Sequence, residues 1–174
     1  EMESAMLLDK DFSEDDETTT SPPADHPSIT VHTRFDGHSR AVTSMCFNPP
    51  EDKLVTTSMD KSACVWAVDS GTLLKVFTDS SPVLAVAFLP LSPQVIVAAN
   101  SNATLRLVNV ENGMLLQKLK VETEVRALTF DCTGHFLFTG TRIGSIPVLE
   151  ASASSALKLK FKVQLARGSV TCIT

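Results

Sequence analysis

The sequence predicts an all-β protein, and two observations carry that prediction. A short pattern of apolar residues begins at Val42, returns at Val83 and Val125, and starts once more at Val170, so that the leading valines are 41, 42 and 45 residues apart. Each period also contains three further short apolar runs, and no stretch shows the hydrophobic period of an amphipathic helix. Four strands per period of about 40–45 residues are typical of a β-propeller, in which each period forms one blade.

Turn residues such as Asp69-Ser70-Gly71 and Asn112-Gly113 separate the apolar runs and place four strands in each blade. The first blade, over residues 38–77, has its predicted strands at 42–47, 54–58, 63–66 and 73–77. The second blade, over residues 79–119, has them at 83–88, 95–99, 104–108 and 115–119. The third blade, over residues 121–163, has them at 125–130, 136–139, 146–149 and 157–163. The next blade starts at residue 170 with one strand, 170–174.

Pro147 and three lysines of the third blade need separate interpretation. Pro147 lies inside a predicted strand, and because it lacks an N–H we expect a bulge or a shortened strand there. Lys158, Lys160 and Lys162 alternate with apolar residues, so we expect them to share one face of an outer strand. They protect that edge against aggregation or, in the alternative hypothesis, bind a phosphate or an acidic peptide.

The N-terminal region differs in composition from the body. Residues 1–26 contain nine acidic residues and one lysine, a net charge of −8, while the remaining 11 acidic and 14 basic residues leave +3. Residues 1–28 are therefore predicted to be a disordered acidic tail, and residues 29–174 a propeller segment. Order is expected to begin with an alternating run at 29–35, the outer strand of a preceding blade.

Three blades and a strand are fewer than the 4–8 blades with which propellers close. Together with a first residue that is Glu1 rather than methionine, this predicts that the chain is part of a larger propeller. Both ends should then present an apolar blade face.

Composition and motifs exclude several classes of protein. No apolar run approaches the ~20 residues of a membrane-spanning helix, and a body charge of +3 argues against direct contact with nucleic acid. Cys46, Cys64, Cys132 and Cys172 show neither disulfide nor zinc spacing, which indicates reduced thiols in an intracellular protein. The sequence has no motif for a phosphate, a dinucleotide or a metal, so no cofactor, metal ion or small-molecule substrate is expected.

The first period resembles the WD40-repeat family in its Gly37-His38 pair, the strand Leu54-Val55-Thr56-Thr57-Ser58, the turn residue Asp60 and Trp66. Ala67 stands where the family has the second residue of its Trp-Asp pair. The later periods depart further from the family pattern. In the second, the Gly-His pair, the turn aspartate and the Trp-Asp pair are replaced by Asp79-Ser80-Ser81, Asn102 and Val108-Asn109. In the third, the turn aspartate and the Trp-Asp pair are replaced by Ile143 and Leu149-Glu150. The stretches LVTTSMD, VWAVDSGTLLKV, RALTFDCTGHFLFTG and GSVTCIT are similar to the WD-repeat protein thirteen group within that family.

The resemblance implies that His38, Thr56, Asp60 and Trp66 form a buried structural hydrogen-bond tetrad. A hydroxyl, a histidine and an aspartate also suggest a hydrolytic triad, but a nucleophile needs an open site and an oxyanion stabiliser, which the sequence does not supply. We therefore expect no catalytic residues.

The resemblance further implies a non-catalytic scaffold, nuclear or cytoplasmic, that binds other proteins through loops on one propeller face. The family pattern places six candidate partner-binding positions there: Arg40, Met59, Ser81, Ser101, Glu124 and Arg142. The alternative hypotheses are a chromatin or nucleic-acid reader and, with less support, a propeller-borne enzyme domain.

Overall fold

A computed structural model describes residues 32–152, 156–165 and 167–173. Every regular element in these ranges is a β-strand. In chain order the strands are β1 Val42–Phe47, β2 Lys53–Ser58, β3 Ser62–Ala67, β4 Leu73–Thr78, β5 Val83–Leu89, β6 Ser92–Asn100, β7 Thr104–Asn109, β8 Leu115–Lys120, β9 Val125–Phe130, β10 Phe136–Thr141, β11 Ser145–Ala151 and β12 Leu157–Gln164. Each of the twelve apolar runs expected between residues 42 and 163 lies within one of them.

The strands form three antiparallel sheets with orders β1-β2-β3-β4, β5-β6-β7-β8 and β9-β10-β11-β12. This confirms the predicted all-β fold of three four-stranded blades, which we call blades 1, 2 and 3. The first strands of consecutive blades, β1, β5 and β9, lie next to one another. The predicted acidic tail, residues 1–28, lies outside the described residues.

Apolar side chains fill the spaces between consecutive blades. We call the face of a blade that is turned toward the preceding period its front, and the opposite face its back. The back of blade 1 packs on the front of blade 2 through Val55 and Val65 against Phe88 and Ile96. A larger core joins the back of blade 2 to the front of blade 3. Burial on both faces explains why these strands are nearly all apolar.

The turn between the second and third strands has the same backbone conformation in every blade. Lys61, Ala103 and Gly144 hold equivalent positions in the three turns, with positive φ angles of 72°, 58° and 80°. Glycine adopts this left-handed conformation without steric cost, whereas the lysine and the alanine are strained there. The repeated fold thus imposes the turn even where the residue does not favour it.

The predicted strands at the two ends of the propeller segment are not formed in the described residues. Residues 32–35 and 170–173 are not in strands, and residues 29–31 and 174 lie outside the described ranges. Val170 donates its N–H to the Thr141 carbonyl at 2.9 Å, so the chain begins to follow blade 3 there. A strand needs a hydrogen-bonded neighbour along its length, and among the described residues no further strand lies beside this segment.

Pro147 lies inside β11, which is not shortened, and its effect is seen in the pairing with β10. The pairing of β10 with β11 has three residue pairs and ends at Val148, next to Pro147, whereas the equivalent pairings in blades 1 and 2 have five and six. A bulge between Val148 and Leu149 shifts the register of β11 against β12. Blades 1 and 2 have the same bulge at the equivalent position, so Pro147 is not its cause.

The bulge also separates the lysines of β12, so the expectation that the three share one face is wrong. Lys160 pairs with Glu150 at 3.1 Å and lies 4.5 Å from the centre of the Phe136 ring. Lys162 pairs with Glu122, in the segment between β8 and β9. In the described part of the chain, no helix is long and apolar enough to cross a membrane.

Candidate functional site

The structure brings His38, Thr56, Asp60 and Trp66 together on the front of blade 1. His38 Nδ1 lies 3.0 Å from Asp60 Oδ2, and His38 Nε2 lies 2.8 Å from Thr56 Oγ1. Trp66 Nε1 donates to the same Thr56 oxygen at 2.8 Å. Thr56 and Trp66 belong to neighbouring strands, while His38 reaches them from the segment before β1 and Asp60 from the turn after β2. The four residues form one continuous hydrogen-bonded chain.

The donors and acceptors of this chain assign its protons. A carboxylate only accepts hydrogen bonds, so the proton of His38 Nδ1 is donated to Asp60. The Thr56 oxygen accepts the indole N–H and donates its own hydroxyl proton to His38 Nε2. Every polar atom of the chain is thus used, as burial requires.

Asp60 is the anchor of this arrangement. Its side chain is only 10% exposed, and burial by itself would raise the pKa of the carboxyl group. Hydrogen bonds from the Ser62 hydroxyl, from His38 and from the Ser39 amide outweigh burial and hold that pKa well below its ordinary value. The carboxylate therefore stays charged and keeps the histidine ring in one orientation.

The same atoms have the connectivity of a hydrolytic triad, with Thr56 in the place of the nucleophile. Thr56 is only 7% exposed, and its oxygen is already engaged by the Trp66 indole. The neighbouring thiol of Cys64 is 1% exposed, and burial raises its pKa, an effect to which the Asp60 charge adds. Neither group is an activated nucleophile with room for a substrate. The geometry fits a structural role.

Gly37 and Phe35 complete the packing around Trp66. A Cβ atom on Gly37 would lie 2.7 Å from Cη2 of the indole, closer than real contacts allow. The Phe35 ring meets the indole edge to face, with centroids 5.6 Å apart. The Gly37-His38 pair thus has two functions: the glycine admits the indole, and the histidine bonds to Thr56.

Blade 2 replaces the tetrad by an ion pair that the sequence analysis missed. Asp79 precedes Val83 by four residues, as His38 precedes Val42. Its Oδ2 lies 2.7 Å from Arg106 Nη1, and the Asp79 side chain is 7% exposed. Arg106, on β7, lies where blade 1 has Cys64. A charged residue inside an otherwise apolar strand was the available signal, because it needs a partner when it is buried.

Blade 3 keeps neither arrangement. Val121 stands at the position of His38 and Asp79, Pro147 at that of Cys64 and Arg106, and Leu149 at that of Trp66. The hydroxyl of Thr139, the counterpart of Thr56, donates to the Pro147 carbonyl at 2.8 Å. The front of blade 3 is held by apolar packing.

The six predicted partner-binding residues lie in pairs at one edge of the three blades. In blade 1 the Met59 N–H donates to the Ala41 carbonyl beside Arg40, at 3.0 Å. Equivalent bonds join Ser101 to Pro82, beside Ser81, at 2.9 Å and Arg142 to Glu124 at 3.0 Å.

Charges and exposure differ among these pairs. The Glu124 carboxylate is shared by Arg126 at 3.3 Å and Arg142 at 3.5 Å. The Arg142 side chain is 60% exposed, and Arg40 and Met59 are also exposed. Among the described residues, no three His, Cys, Asp or Glu side chains are arranged to hold a metal ion.

Comparison with known proteins agrees with this geometry. The family described as WD domain, G-beta repeat matches residues 29–67, which include the whole tetrad. Residues 29–67 are a WD40 repeat. Among the relatives of the chain are eukaryotic translation initiation factor 3 subunit I of Aspergillus terreus, 30% identical over 67% of this chain, and THO complex subunit 3 of Arabidopsis thaliana, 29% identical over 65%. COMPASS component SWD3 of Saccharomyces cerevisiae is 30% identical over 54%.

The WD40-repeat chain spans about a third of the length of these relatives, 36%, 36% and 30% respectively. Solved structures show the same fold. The computationally designed Ika4 protein has a TM-score of 0.67 at 21% identity, over 84% of this chain and 87% of that one. The β-propeller domain of Cps50 (Swd1) from Myceliophteria thermophila has a TM-score of 0.66 at 17% identity, over 78% of this chain and 46% of that one.

Proposed function

We propose that this WD40-repeat chain is a non-catalytic scaffold that binds other proteins through the edge formed by the three residue pairs, which we call the rim. The observation that carries the proposal is the repeated backbone bond between the turn after the second strand and the start of the first strand, at 2.9–3.0 Å in every blade. Loops held by a rigid scaffold are where binding residues concentrate.

The composition of the rim indicates the chemistry of a partner. Met59 is 38% exposed and offers an adaptable apolar contact. Two arginines face the one carboxylate of Glu124 in blade 3, and Arg40 adds a further positive charge in blade 1. The rim therefore favours a partner segment with carboxylates next to an apolar residue.

Three relatives support the scaffold by their names alone, since each is called a subunit or component of a larger assembly. The four cysteines Cys46, Cys64, Cys132 and Cys172 are all free thiols, which supports an intracellular location, nuclear or cytoplasmic. We also propose, from the resemblance given above, that the chain is a member of the WD-repeat protein thirteen group. We propose likewise that residues 1–28 form an acidic tail and that the propeller segment begins at residue 29.

The experiment is a quantitative affinity capture from cell extract with matched variants. Met59→Asp introduces a charge at the rim, and Met114→Asp introduces the same charge at an exposed turn on the opposite edge of the blades. We expect Met59→Asp to lose a set of proteins that wild type and Met114→Asp retain. Equal capture by the two variants would contradict binding at the rim.

A further inference from the structure

The two spaces between consecutive blades differ although equivalent residues line them. Between blades 1 and 2 a cavity of about 30 Å³ lies beside Phe77, Asp79 and Arg106. Between blades 2 and 3 a cavity of about 220 Å³ lies beside Leu119, Val121 and Pro147. We call this second space, between blades 2 and 3, the interblade cavity.

Strand register shows that these residues correspond. Phe77 lies opposite Ala63 in blade 1, as Leu119 lies opposite Leu105 in blade 2. Arg106 is paired with Lys118 of its own blade, as Pro147 is with Lys162 in blade 3.

Three replacements therefore open the interblade cavity. A phenyl ring becomes the smaller Leu119, and an aspartate–arginine ion pair becomes Val121 and Pro147. The ring of Phe77 packs among apolar groups of the next blade, whereas Leu119 is too short to fill the equivalent space. The result is a hollow bounded mainly by apolar side chains.

The interblade cavity is open and has a charged margin. Leu159, on its outer side, is 62% exposed. Lys120, Glu122 and Lys162 also line it, and Lys162 is paired with Glu122, whose side chain is 73% exposed. An acidic ligand can replace Glu122 at Lys162, because that ion pair is at the surface.

We propose that the interblade cavity binds a peptide segment of a partner protein, which inserts one bulky apolar side chain and places a neighbouring carboxylate on Lys162. The apolar side chain of the partner fills the interblade cavity, as the ring of Phe77 fills the equivalent space between blades 1 and 2. The carboxylate takes the place of Glu122 at Lys162, which lines the margin of the cavity. This surface lies on the side of the blades and does not depend on the rim, so either one can fail alone.

The test uses the whole chain and a defined probe, acetyl-Asp-(4-fluoro-Phe)-Gly-amide, observed by fluorine NMR at millimolar concentration. We expect the fluorine signal to broaden and shift with saturation. Leu119→Phe fills the interblade cavity with the residue of blade 1 and should abolish the effect. Leu116→Phe, the same change at an exposed position of the same strand, should leave it intact. Leu159→Gln weakens binding by a second route that leaves the core unchanged.

The role of the carboxylate is tested separately. Lys162→Met, or a probe with Asn in place of Asp, should each weaken binding roughly two- to fivefold, since exposed ion pairs are worth little more. Combining them should add little. No saturable signal with wild type, or an equal signal with Leu119→Phe, would overturn the proposal. Fluorobenzene binding as tightly as the peptide would also overturn it, because the cavity would then be a site for small apolar molecules.

Discussion

Asp79 and Arg106 form a 2.7 Å ion pair on the front of blade 2, at the positions where blade 1 has His38 and Cys64. The two blades thus satisfy the same buried location with different chemistry. In blade 1 a histidine bridges an aspartate and a threonine, and in blade 2 an arginine extends directly to an aspartate in the segment before β5. Blade 3 fills the location with Val121 and Pro147 and needs no polar partner there.

Removing one member of this ion pair should cost more than removing both. Arg106→Met leaves the Asp79 carboxylate 7% exposed without its cation, and we expect a loss of roughly 3 kcal/mol in unfolding free energy. The double variant Arg106→Met with Asp79→Val copies the apolar pattern of blade 3 and should recover most of that loss. Urea denaturation of the four proteins of this cycle measures the coupling. Additive losses would show that the pair has no direct interaction.

Gly37→Ala should destabilise blade 1. The added methyl group would lie 2.7 Å from the Trp66 ring, so either the indole or the segment before β1 has to move. A forced shift of this kind costs about 1–3 kcal/mol in a packed core. Gly168→Ala is the control, because no atom lies within 4 Å of a Cβ at that position. Thermal unfolding of both variants tests this prediction. Equal midpoints would mean that the close approach of Gly37 to the Trp66 ring is not required.

Asp60 should make stability depend on pH in the acid range. Its pKa is lower in the folded state than in the unfolded state, so its contribution is complete above the unfolded value of about 3.9 and is lost as the pH falls through the lower folded value. Asp60→Asn lacks this contribution. The stability difference between wild type and Asp60→Asn should therefore be constant from pH 5 to 7 and shrink below about pH 4.

Chemical denaturation at a series of pH values measures this difference. Asp69→Asn, in an exposed turn, is the matched control and should stay close to wild type throughout. A difference that grows as the pH falls would have the opposite sign and would contradict the hydrogen bonding assigned to Asp60.

The front of blade 1 should make the isolated chain associate. Met45 and Phe47 are 65% and 51% exposed, whereas Val86 and Phe88, their counterparts in blade 2, are each 4% exposed against blade 1. Apolar patches of this kind promote association. Light scattering on the 174-residue chain should show species larger than a monomer, and Met45→Lys with Phe47→Lys should shift them toward the monomer. A monodisperse wild-type monomer would show that the exposed front of blade 1 does not drive association.

The strands were predictable because each apolar run is bounded by turn residues and the pattern repeats with a nearly constant period. The tetrad was predictable in blade 1, where the residues match the WD40-repeat pattern one by one. The Asp79–Arg106 pair was not, because the two residues are separated by two strands and only the packing of the blade brings them together. The interblade cavity depends on register and on the relative size of Phe77 and Leu119, which periodicity does not report.

We expect the His38 chain of hydrogen bonds to stabilise blade 1 and to perform no chemistry. His38→Ala leaves the Thr56 hydroxyl and the Asp60 carboxylate without their shared partner, which should lower the free energy of unfolding by roughly 1–3 kcal/mol. The decisive measurement is urea denaturation of wild type and His38→Ala, paired with an assay for ester hydrolysis. We expect a lower midpoint for His38→Ala and no hydrolysis by either protein. Unchanged stability together with a hydrolytic activity that wild type has and His38→Ala lacks would contradict it.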